Sequence, residues 1–282
     1  MSSSTQANTT HDDPTDLSTQ YDTPLGLAHT TMQALKDRIK LHYDLASDYY
    51  LNLWGEHIHH GYWPTDASKS TDSKETAQLN LIRLLLSVSD LSSFSSSSTS
   101  GEPKPLRILD VGCGVGGTTR FLASELGAEV TGITISGKQV QIARRLSKSA
   151  AGGDAEAEFT PLGSHGGKVR FLELDAEKMG EFFSNGGDGS GKESEGFDVV
   201  WISEALSHFP NKALFFRNSH KLLRKAGRDI SWSLVQNPSL WAFAFSQGRD
   251  GIAFLQAFRA MRRGYANGSF RYAVMAFVKP SE

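Results

Sequence analysis

Three groups of residues in this chain are of types and spacings that can do chemistry. The first is Gly112-Cys113-Gly114-Val115-Gly116-Gly117, with Asp110 just before it. Glycines let the backbone approach a ligand closely, and a helix opening after such a turn offers free N–H groups. A bare G-x-G-x-x-G is a weak signal, because several cofactors use it. A dinucleotide site also wants a carboxylate about 20 residues further on for the ribose. Val130–Lys138 contains neither Asp nor Glu, which disfavours a nucleotide-dependent oxidoreductase. A carboxylate at Asp110 suits a cationic ligand better than a pyrophosphate. The plainer alternative is an ordinary strand-to-helix turn with Asp110 as a capping residue.

The second group is Glu204-Ala205-Leu206-Ser207-His208, placed where an open α/β sheet turns its strand ends toward a ligand crevice. On a helical turn Glu204 and His208 would share one face at i, i+4. Imidazole titrates near neutral pH, so His208 could accept a proton, and the two are expected as the catalytic pair. The alternative is an acidic first-turn residue beside a solvated histidine. The third group is His57, His59 and His60. Adjacent histidines in one loop do not complete a tetrahedral metal site, and no metal is expected. With Trp54, Tyr62 and Trp63 they read as pocket lining, suited to an apolar substrate or a cationic charge. Ordinary core packing is the alternative.

The elements that must position these groups can be read from periodicity. Met32 to about Trp54 is helical, with Leu35, Ile39, Tyr43 and Ala46 on one stripe. Asp72-Ser73-Lys74-Glu75 resembles a capping box and would start a helix carrying Leu79, Ile82 and Leu86. A Ser-rich loop follows over Ser87–Ser100. Leu106–Val111, Glu129–Thr134, Val169–Leu174 and Phe197–Ile202 read as strands, and Gly117–Leu126, Lys138–Leu146 and Lys212–Leu223 as helices. Strands alternating with helices imply right-handed βαβ units and a parallel sheet. Ala150–Gly167 and Ser184–Gly196 interrupt the rhythm as loop-like inserts. Asp229–Val235 can be a strand, Ser239–Met261 is an aromatic, mostly helical stretch, and Phe270–Val278 is an apolar strand.

Composition excludes whole classes. The 282 residues carry 29 Lys and Arg against 31 Asp and Glu, a net charge of −2, which lacks the basic footprint of a nucleic-acid binder. One Cys makes no internal disulfide and fits a reducing compartment. The polar N-terminus has no basic-then-apolar signal pattern, and no apolar run is long enough for a transmembrane segment. The chain reads as a cytoplasmic protein with residues 1–31 disordered and one domain over 32–282.

Leu109-Asp110-Val111-Gly112-Cys113-Gly114 resembles the first motif of class I S-adenosylmethionine-dependent methyltransferases. Residues 38–63, from Arg38-Ile39-Lys40-Leu41-His42-Tyr43-Asp44 to His57-Ile58-His59-His60-Gly61-Tyr62-Trp63, are similar to the leader of the gamma-tocopherol methyltransferase group. That group is related to sterol C-methyltransferases, coclaurine-type N-methyltransferases and cyclopropane fatty acid synthases. The resemblance covers residues 35–225, and the tail 229–280 separately. It implies an α/β, Rossmann-like sheet with helices on both faces, in three parts: a helical leader (32–100), a cofactor-binding core (105–225) and a C-terminal lid and strand (229–280). It further implies S-adenosyl-L-methionine as cofactor, bound by Asp110, Gly112, Cys113 and Gly114. Thr134 and Gln139 would stand near the ribose, and Asp175 and Ala176 at the adenine edge. Tyr43 and His59 would come from the leader. The partner implied is a small-molecule methyl acceptor, in secondary-metabolite or lipid-like biosynthesis, methylated at C, N or O.

The chain departs from that family after Leu223. Lys225-Ala226-Gly227-Arg228 leads straight into Asp229-Ile230-Ser231-Trp232, so the C-terminal half is abbreviated, and a catalytically impaired isoform is the alternative function. Asp229–Val235 must either enter the parallel sheet or pair with Phe270–Val278. The second option would leave the fourth strand as an exposed apolar edge, which invites a homodimer.

Overall fold

The structure is a computed structural model that describes residues 32–89, 91, 105–152, 158–186, 196–235 and 272–278, with the backbone alone at 225–235 and 272–278. The expectations for residues 1–31, for most of the Ser-rich loop, for the middles of the two inserts and for Ser239–Met261 lie outside the described residues. One compact unit comprises Lys36–Val235 and Tyr272–Glu282. Of a second unit, Met1–Leu35 with Gln236–Arg271, only the opening turn of the leader helix is described.

The leader helix α1 spans Met32–Trp54, as its periodicity predicts, and a one-turn helix α2 spans Ser68–Thr71. Helix α3 spans Lys74–Ser89. Its cap is Ser73 rather than Asp72: the Ser73 hydroxyl accepts the Thr76 N–H at 3.1 Å. A Ser three residues before a free N–H caps as well as an Asp would, and Asp72 instead accepts from the Asn80 amide at 3.3 Å. The buried stripe is accordingly Ala77, Gln78, Leu81, Ile82 and Leu85.

The βαβ series follows: β1 (Arg107–Val111), α4 (Gly117–Leu126), β2 (Glu129–Thr134), α5 (Gly137–Ala151), β3 (Thr160–Leu162), β4 (Gly167–Glu173), α6 (Met179–Ser184), β5 (Phe197–Ile202), α7 (Lys212–Leu222), β6 (Leu223–Val235) and β7 (Tyr272–Val278). The sheet order is β3-β4-β2-β1-β5-β6-β7. Strands β4, β2, β1, β5 and β6 are parallel, while β3 and β7 run antiparallel at the two edges. Strand β3 lies in the first insert, where a loop is expected. Gly163 and Gly166, at φ 70 and 77, turn the chain back so that Thr160–Leu162 pairs with Gly167–Val169. Glycine carries such a turn without steric penalty.

The two options for Asp229–Val235 turn out to be compatible. The long strand β6 pairs parallel with β5, from Val199 beside Arg228 to Ile202 beside Ser231. The same strand pairs antiparallel with β7, from Arg228 beside Val278 to Val235 beside Tyr272. A strand has two hydrogen-bonding edges, and β6 uses both. Strand β5 is therefore not an edge, which removes the premise of an edge-driven dimer.

Successive strand residues point to opposite faces, and the core divides accordingly. Ile108, Val130, Val169, Val199 and Trp201 face Leu81, Leu85, Leu122 and Ala143 from α3, α4 and α5. Leu109, Val111, Ile133, Val200 and Ile202 face Met179, Phe183, Phe215 and Leu222 from α6 and α7. The expected helices on both faces are thus present. The chain leaves β1 toward β2 on one side and returns to β5 on the other, so a crevice opens at the C-terminal ends of β1 and β5.

The leader reaches that end of the sheet through one close approach. A Cβ added at Gly117, the first residue of α4, would lie 2.1 Å from the Glu56 carbonyl oxygen. Gly117→Ala is expected to push the leader off α4 and cost about 1–3 kcal/mol. Thermal unfolding and limited proteolysis read this together: the melting temperature falls and cleavage in the leader rises. An unchanged melting temperature and cleavage pattern would show the approach to be slack.

Candidate functional site

Strand β1 delivers Asp110 to the crevice and then breaks at glycines. Gly112, Gly114 and Gly116 all take positive φ (75, 55 and 82), a region that side chains disfavour. Their surroundings differ. A Cβ at Gly112 would meet the Ala205 Cβ at 2.3 Å, and one at Gly116 the Phe171 ring at 2.6 Å, so both are packing glycines. A Cβ at Gly114 would find nothing nearer than Ile58 Cδ1 at 4.0 Å. Gly114 is thus an open cradle at the head of a helix, fit for a ligand to approach the backbone.

Asp110 is 2 % exposed, and its Oδ2 accepts the Thr119 hydroxyl at 2.6 Å. Burial pushes its carboxyl up to about 7, with the Thr119 hydrogen bond pulling the other way. A cation brought alongside would hold it ionised. The neighbouring Cys113 is buried, and burial pushes its thiol well up.

The next two strands bring their expected residues to the same edge. At the end of β2 the Thr134 hydroxyl donates to the Gln139 side-chain oxygen at 2.6 Å, and Ser136 caps α5 by accepting the Gln139 N–H at 3.1 Å. After β4, Asp175 accepts the Glu177 N–H at 2.9 Å and Lys36 Nζ at 2.8 Å, with Ala176 buried beside it. The leader helix is fastened across both ends. Lys36 also pairs with Glu177 at 2.6 Å and Lys40 with Glu173 at 2.6 Å. Asp44 accepts the Ser136 hydroxyl at 2.6 Å, and Lys138 pairs with Asp48 at 2.6 Å.

Glu204 and His208 do not share a helical face. Glu204 takes φ 60, and the turn after it is a short 3-10 segment, Leu206–His208. The two side chains consequently meet different parts of the leader. Glu204 accepts both the backbone N–H and the Nδ1–H of His60, at 2.9 and 2.8 Å. His208 Nε2 lies 2.9 Å from the Tyr43 hydroxyl, edge-on to its ring. Burial pushes His208 down to about 4, with His42 and Lys212 adding to it, and pushes the Tyr43 hydroxyl up.

The leader loop itself is stitched to α3. The Gln78 amide donates to the carbonyls of His57 and His59. His59 is buried, its Nδ1 bonded to the His60 carbonyl at 2.8 Å, while its Nε2 is buried without a partner. Tyr62 and Trp63, expected as lining, are 37 % and 36 % exposed. Arg120 ties the loop from beneath: it donates to the Val115 carbonyl and pairs with Glu56 at 2.9 Å. Sequence reasoning did not nominate Gln78, Thr119, Arg120 or Ser136. Only Ser136 carried a local signal, as a helix cap.

All ten cofactor candidates and both catalytic candidates therefore lie on β1, β2, β4 and β5 ends or on the leader above them. The comparisons with known proteins bear on the family and the fold. A family profile described as a methyltransferase domain matches residues 109–230, and one described as mycolic acid cyclopropane synthetase matches residues 30–159. Tocopherol O-methyltransferase of Arabidopsis thaliana is 31% identical over 72% of this chain and 51% of its own length. A 2-methyl-6-phytyl-1,4-hydroquinone methyltransferase of Synechocystis is 31% identical over 62% of this chain and 43% of its own. The chain thus spans about half the length of the curated relatives it matches. Geranyl diphosphate C-methyltransferase of Streptomyces coelicolor, solved with S-adenosyl-L-homocysteine, superposes with a TM-score of 0.54 at 14% identity, over 87% of this chain and 98% of that one. At that identity the likeness speaks for the fold alone. No helix among the described residues is long and apolar enough to cross a membrane.

Asp110 gives a pH test that needs no ligand. An unfolded Asp loses its proton near about 3.9, whereas the folded Asp110 keeps it up to about 7. The folded chain binds more protons between those values, so stability falls as pH rises across them. Asp110→Asn is expected to remove this slope, worth up to about 4 kcal/mol. Denaturant midpoints from about pH 4 to about pH 7.5 measure it, and parallel curves for both proteins would reject the buried-carboxyl assignment.

Proposed function

The chain belongs to the class I S-adenosylmethionine-dependent methyltransferases, and from that premise we propose that it transfers a methyl group from S-adenosylmethionine to a small molecule. The observation that carries this is Gly114, a left-handed glycine with open space before it, close in the chain to the buried carboxyl of Asp110.

The cofactor, when bound, supplies an electrophilic methyl group on a sulfonium. In the proposed site the glycine turn accepts it against the backbone, and Asp110 offers a negative charge to its cationic part. Thr134 and Gln139 take the ribose side, and Asp175 and Ala176 the adenine side. Tyr43 and His59 close over it from the leader, with Cys113 behind the turn. Enclosure matters because alignment and exclusion of water supply much of the rate in an in-line transfer. An acceptor that carries a proton needs a group to take it. His208, neutral at physiological pH through burial, is an available acceptor, though a weak base. Its bond to Tyr43, beneath the leader helix, supports that role.

We place the acceptor in secondary-metabolite or lipid-like biosynthesis. The support is that relatives are named for tocopherol, a phytyl hydroquinone and a rifamycin. The single buried thiol supports a cytoplasmic setting, and the near-neutral charge supports a reading without nucleic acid. The impaired-isoform alternative drew on the abbreviated stretch after Leu223. Strand β6 fills the place beside β5, which supports a competent sheet.

Calorimetric titration with S-adenosylhomocysteine tests the reading. The wild-type chain is expected to bind, and Asp110→Ala to bind at least tenfold more weakly, about 1.4 kcal/mol. Gly114→Val is expected to bind nothing, because the side chain fills the cradle at a disfavoured φ. Wild-type affinity in both folded variants would place the ligand elsewhere. A second measurement concerns Tyr43 and His208. With an acceptor in hand, His208→Asn is expected to depress kcat far more than affinity for S-adenosylhomocysteine. Equal loss of both would make His208 structural.

A further inference from the structure

Glu204 is held in a way that proton transfer does not explain. It is the one residue other than glycine with positive φ among the described residues. Such a conformation persists only where the surroundings over-determine it. Here both carboxylate oxygens are committed to one residue of the leader, 144 positions away. The Glu204 side chain is 11% exposed and that of His60 24%, so the pair is largely shielded from solvent screening.

The consequences run along the loop. The His60 carbonyl accepts the Nδ1–H of His59. A carbonyl can only accept, so the proton of a neutral His59 is on Nδ1, and Nε2 carries the lone pair. That atom is buried and without a partner, a costly arrangement unless something arrives to use it. Ile58, one residue earlier, is the nearest group to the open face of Gly114.

We propose that Glu204 is a positioning residue: it latches the leader loop over the glycine turn through protonated His60, so that cofactor binding depends on the charge of this pair. The proposal rests on the reading that the glycine turn holds S-adenosylmethionine. His60 faces Glu204 at the end of β5 and His59 in its own loop, and Glu204 further faces His59 and Tyr43 of α1, which is neutral. Burial pushes His60 down, but the charge and hydrogen bond of Glu204 outweigh it and hold His60 above its ordinary range. Burial pushes Glu204 up, and His60 more than reverses it. The charged pair thus belongs to the latched loop. Its contribution is complete below the ordinary histidine range and is lost as pH rises through the raised value.

The test is calorimetric titration with S-adenosylhomocysteine from about pH 6 to about pH 9, on wild type, Glu204→Gln, His60→Gln and Asp110→Asn. Asp110 ionises across the same range and strengthens binding of a cation, so the wild type should show a rising and a falling limb. Asp110→Asn should keep only the falling limb, a loss of at least about threefold in affinity above neutrality. Glu204→Gln should lack that limb and bind at least about fivefold more weakly than wild type near pH 6.5. His60→Gln reports on the same latch from the other side and should lose the same limb, which covers the case in which Glu204→Gln does not fold. A nitrogen-15 titration of the His60 ring should show its midpoint fall in Glu204→Gln. A folded Glu204→Gln with the wild-type affinity and falling limb overturns the latch, and if that variant also loses turnover, Glu204 acts in the chemistry instead. A wild-type chain that binds no S-adenosylhomocysteine at any pH overturns the methyltransferase reading itself, a result distinct from binding that is merely independent of Glu204.

Discussion

No side chain fits between the leader and the helix that opens after the glycine turn. The Glu56 carbonyl occupies the space a Cβ of Gly117 would need, and the rest of the site follows from that approach. It sets His57–His60 above Gly114, within reach of Glu204 at the end of β5. It also sets Glu56 beside Arg120, whose guanidinium is almost wholly buried. A buried cation without a partner would be costly. Arg120 answers this with a carboxylate on one side and the Val115 carbonyl on the other. The loop and the glycine turn are thereby held by the same side chain.

The site is unusual in how it treats its charges. Asp110 is buried, its Oδ2 accepts the Thr119 hydroxyl, and burial pushes its carboxyl up to about 7. His42, His57 and His208 are all pushed down by burial, to about 4, 3 and 4. Glu204 and His60, by contrast, form a charged pair. His208 beside Tyr43, and His57 beside the helix that opens after the glycine turn, thus add no positive charge to compete with a cationic ligand for Asp110. In a low-dielectric surrounding the charges that remain act strongly.

Much of the sheet was legible in the sequence, because strands buried on both faces show as short apolar runs bounded by turn residues. Leu106–Val111 and Phe197–Ile202 are such runs, and the structure places their residues in the two cores. The glycine turn was legible because left-handed positions demand glycine. Other features were not legible for definite reasons. Ser73 and Asp72 both make good caps, and only the final geometry chooses between them. Strand β3 is three residues long and contains Pro161, too short for any period to show. Strand β6 starts at Leu223, inside the apolar run that reads as the end of α7. For Glu204, the sequence marked the residue but not its partner. His60 is 144 positions away, and no local pattern joins them.

The fastening of α1 has a further consequence. Lys36, Lys40, Asp44 and Asp48 hold the cover to the strand ends through ionic and hydroxyl contacts, whereas the sheet beneath is held by apolar burial. Dissolved salt screens the exposed pairs, Lys40–Glu173 and Lys138–Asp48, more than the part-buried Lys36–Asp175 pair, and it does not weaken apolar burial in the same way. The molecule is thus made of two materials with different solvents for their glue. Ionic strength therefore acts first on the outer fastenings of the cover, at Lys40 and Lys138, and least on the sheet that forms the floor of the crevice.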